Sequence, residues 1–212
     1  MGRKAQSTTA DNDVLGWQAQ KSAATRNLIV ESAIKCFVDL GYPSTTTTVI
    51  AAKAGLSRGA MLHHFPSKVD IVRAAVAHLH AKRLKAFRRA AQRTTGQGDR
   101  IRANLDAYLQ HVRHPMFVAF FELVVAARTD PELAEILRPA QDAFEEEWHT
   151  TAREVFTDWQ TDDATFDVAL DLSRYVLEGM ATSFPGQKQT ERDRRVVDYL
   201  EQKLRELRDR QA

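Results

Sequence analysis

The chain has 212 residues, 43% of them hydrophobic, enough to bury a substantial core in one or two domains. Its net charge is only +2, yet residues 1–95 carry 15 Lys and Arg against 5 Asp and Glu while residues 96–212 carry 15 against 23, so a +10 half precedes a −8 half and suits a molecule with one end toward a polyanion. A polar start (MGRKAQSTTADND), no stretch near the roughly 20 apolar residues of a membrane span, and a single cysteine, Cys36, argue against export, membrane insertion and a disulfide framework, and a cytoplasmic protein is expected.

Helix formers dominate and no run of alternating β-branched residues is present, so an all-α fold is expected. Residues 1–20 read as a flexible tail in which Arg3 and Lys4 are better taken as solvated than as a minor-groove arm, and Trp17 packs on the first helix or on nothing. The first helix is predicted from about Ala23 to Leu40 by the spacing of Ile29, Ala33, Ile34, Phe37 and Val38, with Gly41 as its stop and Cys36 as a small core residue. Pro43 prevents that helix from continuing, and a second starts near Thr46, where threonines make good N-caps. Gly55 allows a tight corner, Leu56 plugs its inside, and Ser57 caps a third helix whose exposed first turn is Arg58, Gly59 and Ala60.

Two short helices meeting at Ala-Gly-Leu have the grammar of a helix-turn-helix. A helix N-terminus offers free N–H groups and a positive dipole end to phosphates, and small residues there let the backbone approach a groove wall. Arg58 can reach a guanine edge, whereas Thr46, Thr47 and Lys68 suit phosphate oxygens. Ser57, Gly59 and Ala60 complete this face. Leu62 can meet a thymine methyl, and His63 and His64 can bond phosphate or cap the helix.

The stretch resembles the DNA-binding domain of the TetR family of transcriptional regulators. The resemblance rests on Arg26 to Phe37, Gly41-Tyr42, Thr45-Thr46, Ile50-Ala51, Ala54-Gly55-Leu56-Ser57, Gly59 and His64-Phe65-Pro66-Ser67-Lys68. The chain departs from the family at Leu62 and His63, where aromatic residues are usual. The resemblance implies a helical N-terminal DNA-binding domain, a divergent helical ligand-binding and dimerising domain, and a fourth helix linking the reading head to the regulatory body. The expected domains are therefore a helix-turn-helix domain at 21–66 and a ligand-binding and dimerisation domain at 67–212, with about nine helices in all.

The fourth helix is predicted from near Ser67 to about Arg93, with Lys82, Arg83, Lys85, Arg88 and Arg89 crowding its later turns as a basic run that reads equally as a solvated face. Thr94 to Gly98 reads as a loop and Asp99 as the next cap. Ile101, Leu105, Tyr108, Leu109 and Val112 form one stripe, ended by His114-Pro115. Met116 to Arg128 is apolar on nearly all faces and is expected to be the central helix. A further helix restarts at Pro131 and carries apolar positions through Trp159 to a polar loop around Asp162.

Phe117, Phe121, Phe144, Trp148 and Tyr175, with Glu122, Arg174 and Glu178 among them, are the expected lining of a pocket for a small hydrophobic effector, though any one of these aromatic residues also reads as ordinary core. Two last stripes, Phe166 to Phe184 and Val196 to Leu207, flank Pro185-Gly186 and suggest a subunit interface, with Ala169, Ser173 and Ala181 allowing close approach. The family resemblance implies that these helices build a four-helix homodimer bundle. His111 and His114 share a helix face, but without HExxH or CxxC no metal or cofactor is expected. No nucleophile motif or phosphate loop points to an enzyme. The expected function is a sequence-specific DNA-binding regulator, a repressor that leaves a pseudo-palindromic double-stranded operator when it takes its effector.

Overall fold

The computed structural model describes residues 7–94, 100–159, 161–183 and 190–209. Among these, the chain forms nine α-helices and no strand. It divides into two compact units, Met1–Ala75 and Val76–Ala212.

The first unit holds α1 (Ser7–Leu40), α2 (Thr47–Lys53), α3 (Arg58–His64) and the beginning of α4 (Lys68–Thr94). α1 starts well before the expected Ala23, so residues 7–20 are helical rather than a tail. Ala10, Gln18, Ala19 and Gln20 favour helix, and a lone Gly16 costs only about 1 kcal/mol against alanine. Trp17 lies on this helix, 62% exposed, with the Lys21 ammonium 5.2 Å from its ring centre. Residues 1–6, including Arg3 and Lys4, lie outside the described residues.

Farther along α1, Ile29, Ala33, Ile34 and Phe37 recur at helical spacing and are all buried. Cys36 is buried beside them, and desolvation raises its thiol pKa. Gly41, at φ +75°, ends the helix. Ile50 of α2, Met61 of α3, Phe65 and Ile71 of α4 complete the small core. Ser67 starts α4: its Oγ accepts the Asp70 N–H at 3.2 Å and donates to the Asp70 carboxylate at 2.7 Å.

The second unit continues α4 and adds α5 (Ile101–Val112), α6 (Pro115–Ala126), α7 (Pro131–Val155), α8 (Asp163–Ser183) and α9 (Glu191–Arg208). His114 Nδ1 caps α6, Asp130 caps α7, and Thr190 exchanges reciprocal bonds with Asp193 at the start of α9. Of the expected loop at Thr94 to Gly98, Thr94 ends α4 and the rest lies outside the described residues, as do the Asp99 cap, Phe184 and the Pro185-Gly186 break. α7 ends at Val155, with Phe156 as its C-cap, and does not run on to Trp159.

Two further expectations are corrected. α6 is not enclosed on all sides: Phe117, Ala119, Phe120 and Leu123 are buried, but Phe121, Val124 and Val125 are each at least 40% exposed, so one apolar face stays open. On the last two helices the small residues Ala169 and Ala181, together with Val197, Leu200 and Leu204, are buried in the unit's own core. The exposed apolar stripe shares only Val196 with the expected one and is formed by Val168, Leu172 and Tyr175 on α8 and by Val196 and Tyr199 on α9.

Candidate nucleic-acid interface and ligand cavity

The corner between α2 and α3 is built by backbone chemistry. Ala54 closes α2 and Gly55 takes φ +68°. The Gly55 N–H then donates to the Ala52 carbonyl at 3.1 Å and the Leu56 N–H to the Ala51 carbonyl at 2.9 Å, the paired bonds of a glycine-terminated helix. An L-side chain is strained at that φ, which is why glycine stands there. Two residues on, the Ser57 hydroxyl accepts the Ala60 N–H at 3.1 Å and caps α3. At the start of α2 the Thr46 hydroxyl accepts the Val49 N–H at 3.3 Å. Both caps use the oxygen as acceptor, so each O–H proton can still donate to a phosphate oxygen.

Ser57, Arg58, Gly59 and Ala60 are all exposed. A Cβ placed on Gly59 meets nothing within 4 Å, so the surface there is open to an approaching groove. Thr46 is exposed and Thr47 half-buried. Farther along α3, Met61 points into the core, Leu62 is half-buried, His63 is exposed and His64 half-buried, with the two histidine rings 5.6 Å apart. Lys68 stands apart from the others in its engagements: its ammonium donates to the Tyr42 carbonyl at 3.0 Å and lies 3.8 Å from the Tyr42 ring centre. It ties the loop after α1 to the start of α4.

Arg26 is the residue that motif spacing does not assign a role. From α1 its guanidinium donates to the His64 carbonyl and lies 4.1 Å from the centre of the Phe65 ring. It thus holds the C-terminal end of α3, the end opposite Arg58. No local pattern announces this, because the two partners are 38 residues apart.

In the second unit a cavity of about 90 Å³ opens beneath α5, α7 and α8. Phe87, Ile101, Leu105, Tyr108, Trp148 and Phe166 supply its apolar walls. Asn104, Ser173 and Arg174 add polar groups, and an Arg100–Asp158 ion pair of 2.5 Å belongs to the same lining. Of the eight residues expected around a ligand, Trp148 and Arg174 line this cavity. Phe144 packs on Trp148 with ring centres 5.7 Å apart. Phe121 and Tyr175 are instead 40% and 60% exposed, and Glu122 is half-buried on α6.

Phe117, Phe144 and Glu178 gather around Arg83, which the sequence places in a basic run but the fold buries. Its Nη2 donates to Glu178 at 2.6 Å, and the Tyr108 hydroxyl donates to the same carboxylate oxygen at 2.8 Å. The guanidinium carbon lies 4.3 Å from the Phe144 ring centre and 4.8 Å from that of Phe120. Burial and then the Arg83 charge push the pKa of His80 down to about 4, and burial, Arg83 and His114 do the same for His111, so both rings are neutral at pH 7. Burial and then Glu178 raise that of Tyr108, which therefore stays a donor.

Comparison with known proteins follows this division of the chain. Residues 29–75 match the family described as bacterial regulatory proteins, tetR family. An uncharacterized HTH-type transcriptional regulator of Mycobacterium tuberculosis is 26% identical over 164 residues, 77% of this chain and 84% of the relative. The HTH-type transcriptional repressor AcnR of Corynebacterium diphtheriae is 27% identical over 184 residues, 85% and 91% of the two chains. The fold is also that of the multidrug binding protein EbrR, solved in complex with imidazole, with a TM-score of 0.62 at 17% identity over 88% of this chain and 96% of that one.

Proposed function

The chain belongs to the TetR family of DNA-binding transcriptional regulators, and from that membership we propose that it is a cytoplasmic homodimeric repressor released from its operator by a small, largely apolar effector. The observation that carries the reading is the capped, outward first turn of α3, where Ser57, Arg58, Gly59 and Ala60 are exposed together and Gly59 leaves room for a groove wall. Arg58 reads base edges, and Thr46, Thr47 and the histidines His63 and His64 meet the backbone. Two such heads related by a two-fold axis read a pseudo-palindrome with half-sites about 34–36 Å apart, or a larger spacing if the heads are splayed.

Dimerisation is assigned to Val168, Leu172 and Tyr175 with Val196 and Tyr199, large apolar side chains that the last two helices leave exposed. The effector is assigned to the aromatic cavity under α5, α7 and α8. That AcnR is named a repressor and EbrR a multidrug binding protein supports both halves of the reading. Effector lowers operator affinity only by the difference in its affinity for the DNA-competent and DNA-incompetent states, so operator must weaken effector binding by the same factor.

A mobility-shift titration of the full chain against the promoter region adjoining its own gene tests the proposal. Salt-sensitive, sequence-preferring binding that disappears in the Arg58→Ala, Gly59→Glu double variant is expected. Retention of that binding in the variant, or its absence from the parent protein, overturns the operator assignment. Raised transcription of the adjoining gene on deletion of the regulator is the repressor's signature, and lowered transcription that of an activator.

A further inference from the structure

We propose that the effector is an organic acid, with a one-ring apolar body in the cavity and its carboxylate taken by Trp148 and Arg174; this rests on reading the cavity as the effector site. The argument starts from donors and acceptors. Trp148 is 2% and Arg174 3% exposed, both line the cavity, and both hold a buried nitrogen with no partner among the described residues: the indole Nε1 and the guanidinium Nε. Arg83, 4% exposed and outside the lining, has two more such nitrogens, Nε and Nη1. All four can only donate.

A buried donor without an acceptor costs about 1–3 kcal/mol, so a cavity framed by such groups favours a ligand that brings acceptor oxygens and disfavours one that brings N–H or O–H donors. The lining carries three charged side chains. It contains two arginines and one aspartate, and Asp158 is already paired with Arg100 at 2.5 Å. Arg174 Nη2 already meets three groups outside the lining, the Glu145 carboxylate at 3.3 Å, the Asp171 carboxylate at 3.5 Å and the Tyr175 hydroxyl at 3.2 Å. Its Nε is the donor that these partners leave unused. A carboxylate accepts from a guanidinium and an indole N–H at once, whereas a primary amide can offer only one oxygen and introduces two donors that find no acceptor. The walls of Phe87, Tyr108 and Phe166 supply aromatic faces for the ring.

Isothermal titration calorimetry and thermal-shift assays of the full chain with three matched probes, benzoate, benzamide and toluene, test this. Benzoate is expected to bind at least ten-fold more tightly than benzamide. Arg174→Met should remove that preference while leaving toluene binding unchanged, and Trp148→Phe, which keeps an aromatic ring and deletes the N–H, should weaken benzoate several-fold more than toluene. If Arg174→Met does not fold, Arg174→Lys, which keeps the charge but lacks the Nε donor, reads the same preference. Equal binding of benzoate and benzamide, or an acid preference that survives both arginine variants, overturns the inference. Toluene binding without benzoate binding overturns it too while leaving the effector cavity in place. Failure of all three probes removes the cavity assignment along with it.

Discussion

Arg83 of α4 and Glu178 of α8 meet at 2.6 Å, with the arginine side chain only 4% exposed and the Tyr108 hydroxyl donating to the same carboxylate oxygen. The pair joins three helices of the second unit through one oxygen atom. Removing a single partner from a buried ion pair strands the other charge and typically costs about 3–5 kcal/mol, whereas replacing both by apolar groups is often neutral. Glu178 keeps 24% exposure and its bond from Tyr108, which places this site at the lower end of that range. Arg83→Met should therefore destabilise the protein by about 3 kcal/mol, and the Arg83→Met, Glu178→Leu double variant should recover most of the loss. Urea denaturation of both variants decides it; a double variant no more stable than the single would show that the arginine's packing on Phe120 and Phe144, rather than its charge, holds the site.

The histidines around Arg83 give the stability a pH dependence of definite sign. His80 and His111 titrate near 4 in the folded chain, below the ordinary value of 6.5, because burial and the Arg83 charge disfavour their protonated forms. Between pH 6.5 and 4 the unfolded chain therefore takes up protons that the folded chain refuses. Stability is full above about 6.5 and falls as the pH drops toward 4, with a ceiling of about 3 kcal/mol for each histidine. The His80→Gln, His111→Gln variant should lose less stability between pH 7 and pH 5 than the parent, as read by chemical denaturation at each pH. Parallel losses would place the acid sensitivity in other groups.

Local chemistry made the first unit readable, and long-range packing hid part of the second. Thr46, Gly55 and Ser57 act through bonds within a few residues of themselves, so their types and spacing define the corner directly. The α5 stripe of Ile101, Leu105 and Tyr108 was equally plain as a buried face, but its position on a cavity depends on Trp148 and Phe166, far off in the chain. Arg83 sits among Lys82, Lys85, Arg88 and Arg89, all exposed, and only its partner 95 residues away separates it from them. On α8, residues one position apart differ by about 100° around the axis, which is enough to bury Ala169 and Arg174 while exposing Val168 and Tyr175. Apolar content alone does not choose between an internal core and a subunit interface.

That stripe yields a prediction about assembly. Tyr175 and Tyr199 are 60% and 63% exposed in the single chain, so replacing both with glutamate removes little core packing. The double variant should keep the helical circular dichroism of the parent and sediment as a monomer, with operator affinity reduced because a single head binds one half-site. A variant that still sediments as a dimer would move the interface to another surface.

The two glycines of the helix-turn-helix should separate fold from function. Gly55→Ala places a Cβ at φ +68° and should cost roughly 1–2 kcal/mol of stability. Gly59→Ala, inside α3 with open space around its Cβ, should be neutral or stabilising by up to about 1 kcal/mol. Any loss of operator affinity in Gly59→Ala is then a loss of contact at the groove. Thermal melts beside mobility-shift titrations of the two variants test this, and a destabilised Gly59→Ala would contradict the open surface at that position.

Arg58 and Lys68 differ in how their cations are committed, and DNA binding should register the difference. Arg58 is exposed at the first turn of α3, while the Lys68 ammonium is held by the Tyr42 carbonyl at 3.0 Å and by the Tyr42 ring. Arg58→Ala should cost about 1–3 kcal/mol on the preferred operator and relax preference at one base pair of each half-site. Lys68→Ala should weaken preferred and unrelated sequences about equally and lower the slope of log affinity against log salt by about one. Because Lys68 also ties the loop after α1 to α4, its loss should lower the melting temperature, which Arg58→Ala should leave in place. Salt titrations on two DNA sequences, each variant paired with a thermal melt, separate the roles; an unchanged salt slope in Lys68→Ala would confine that lysine to its structural bond with Tyr42.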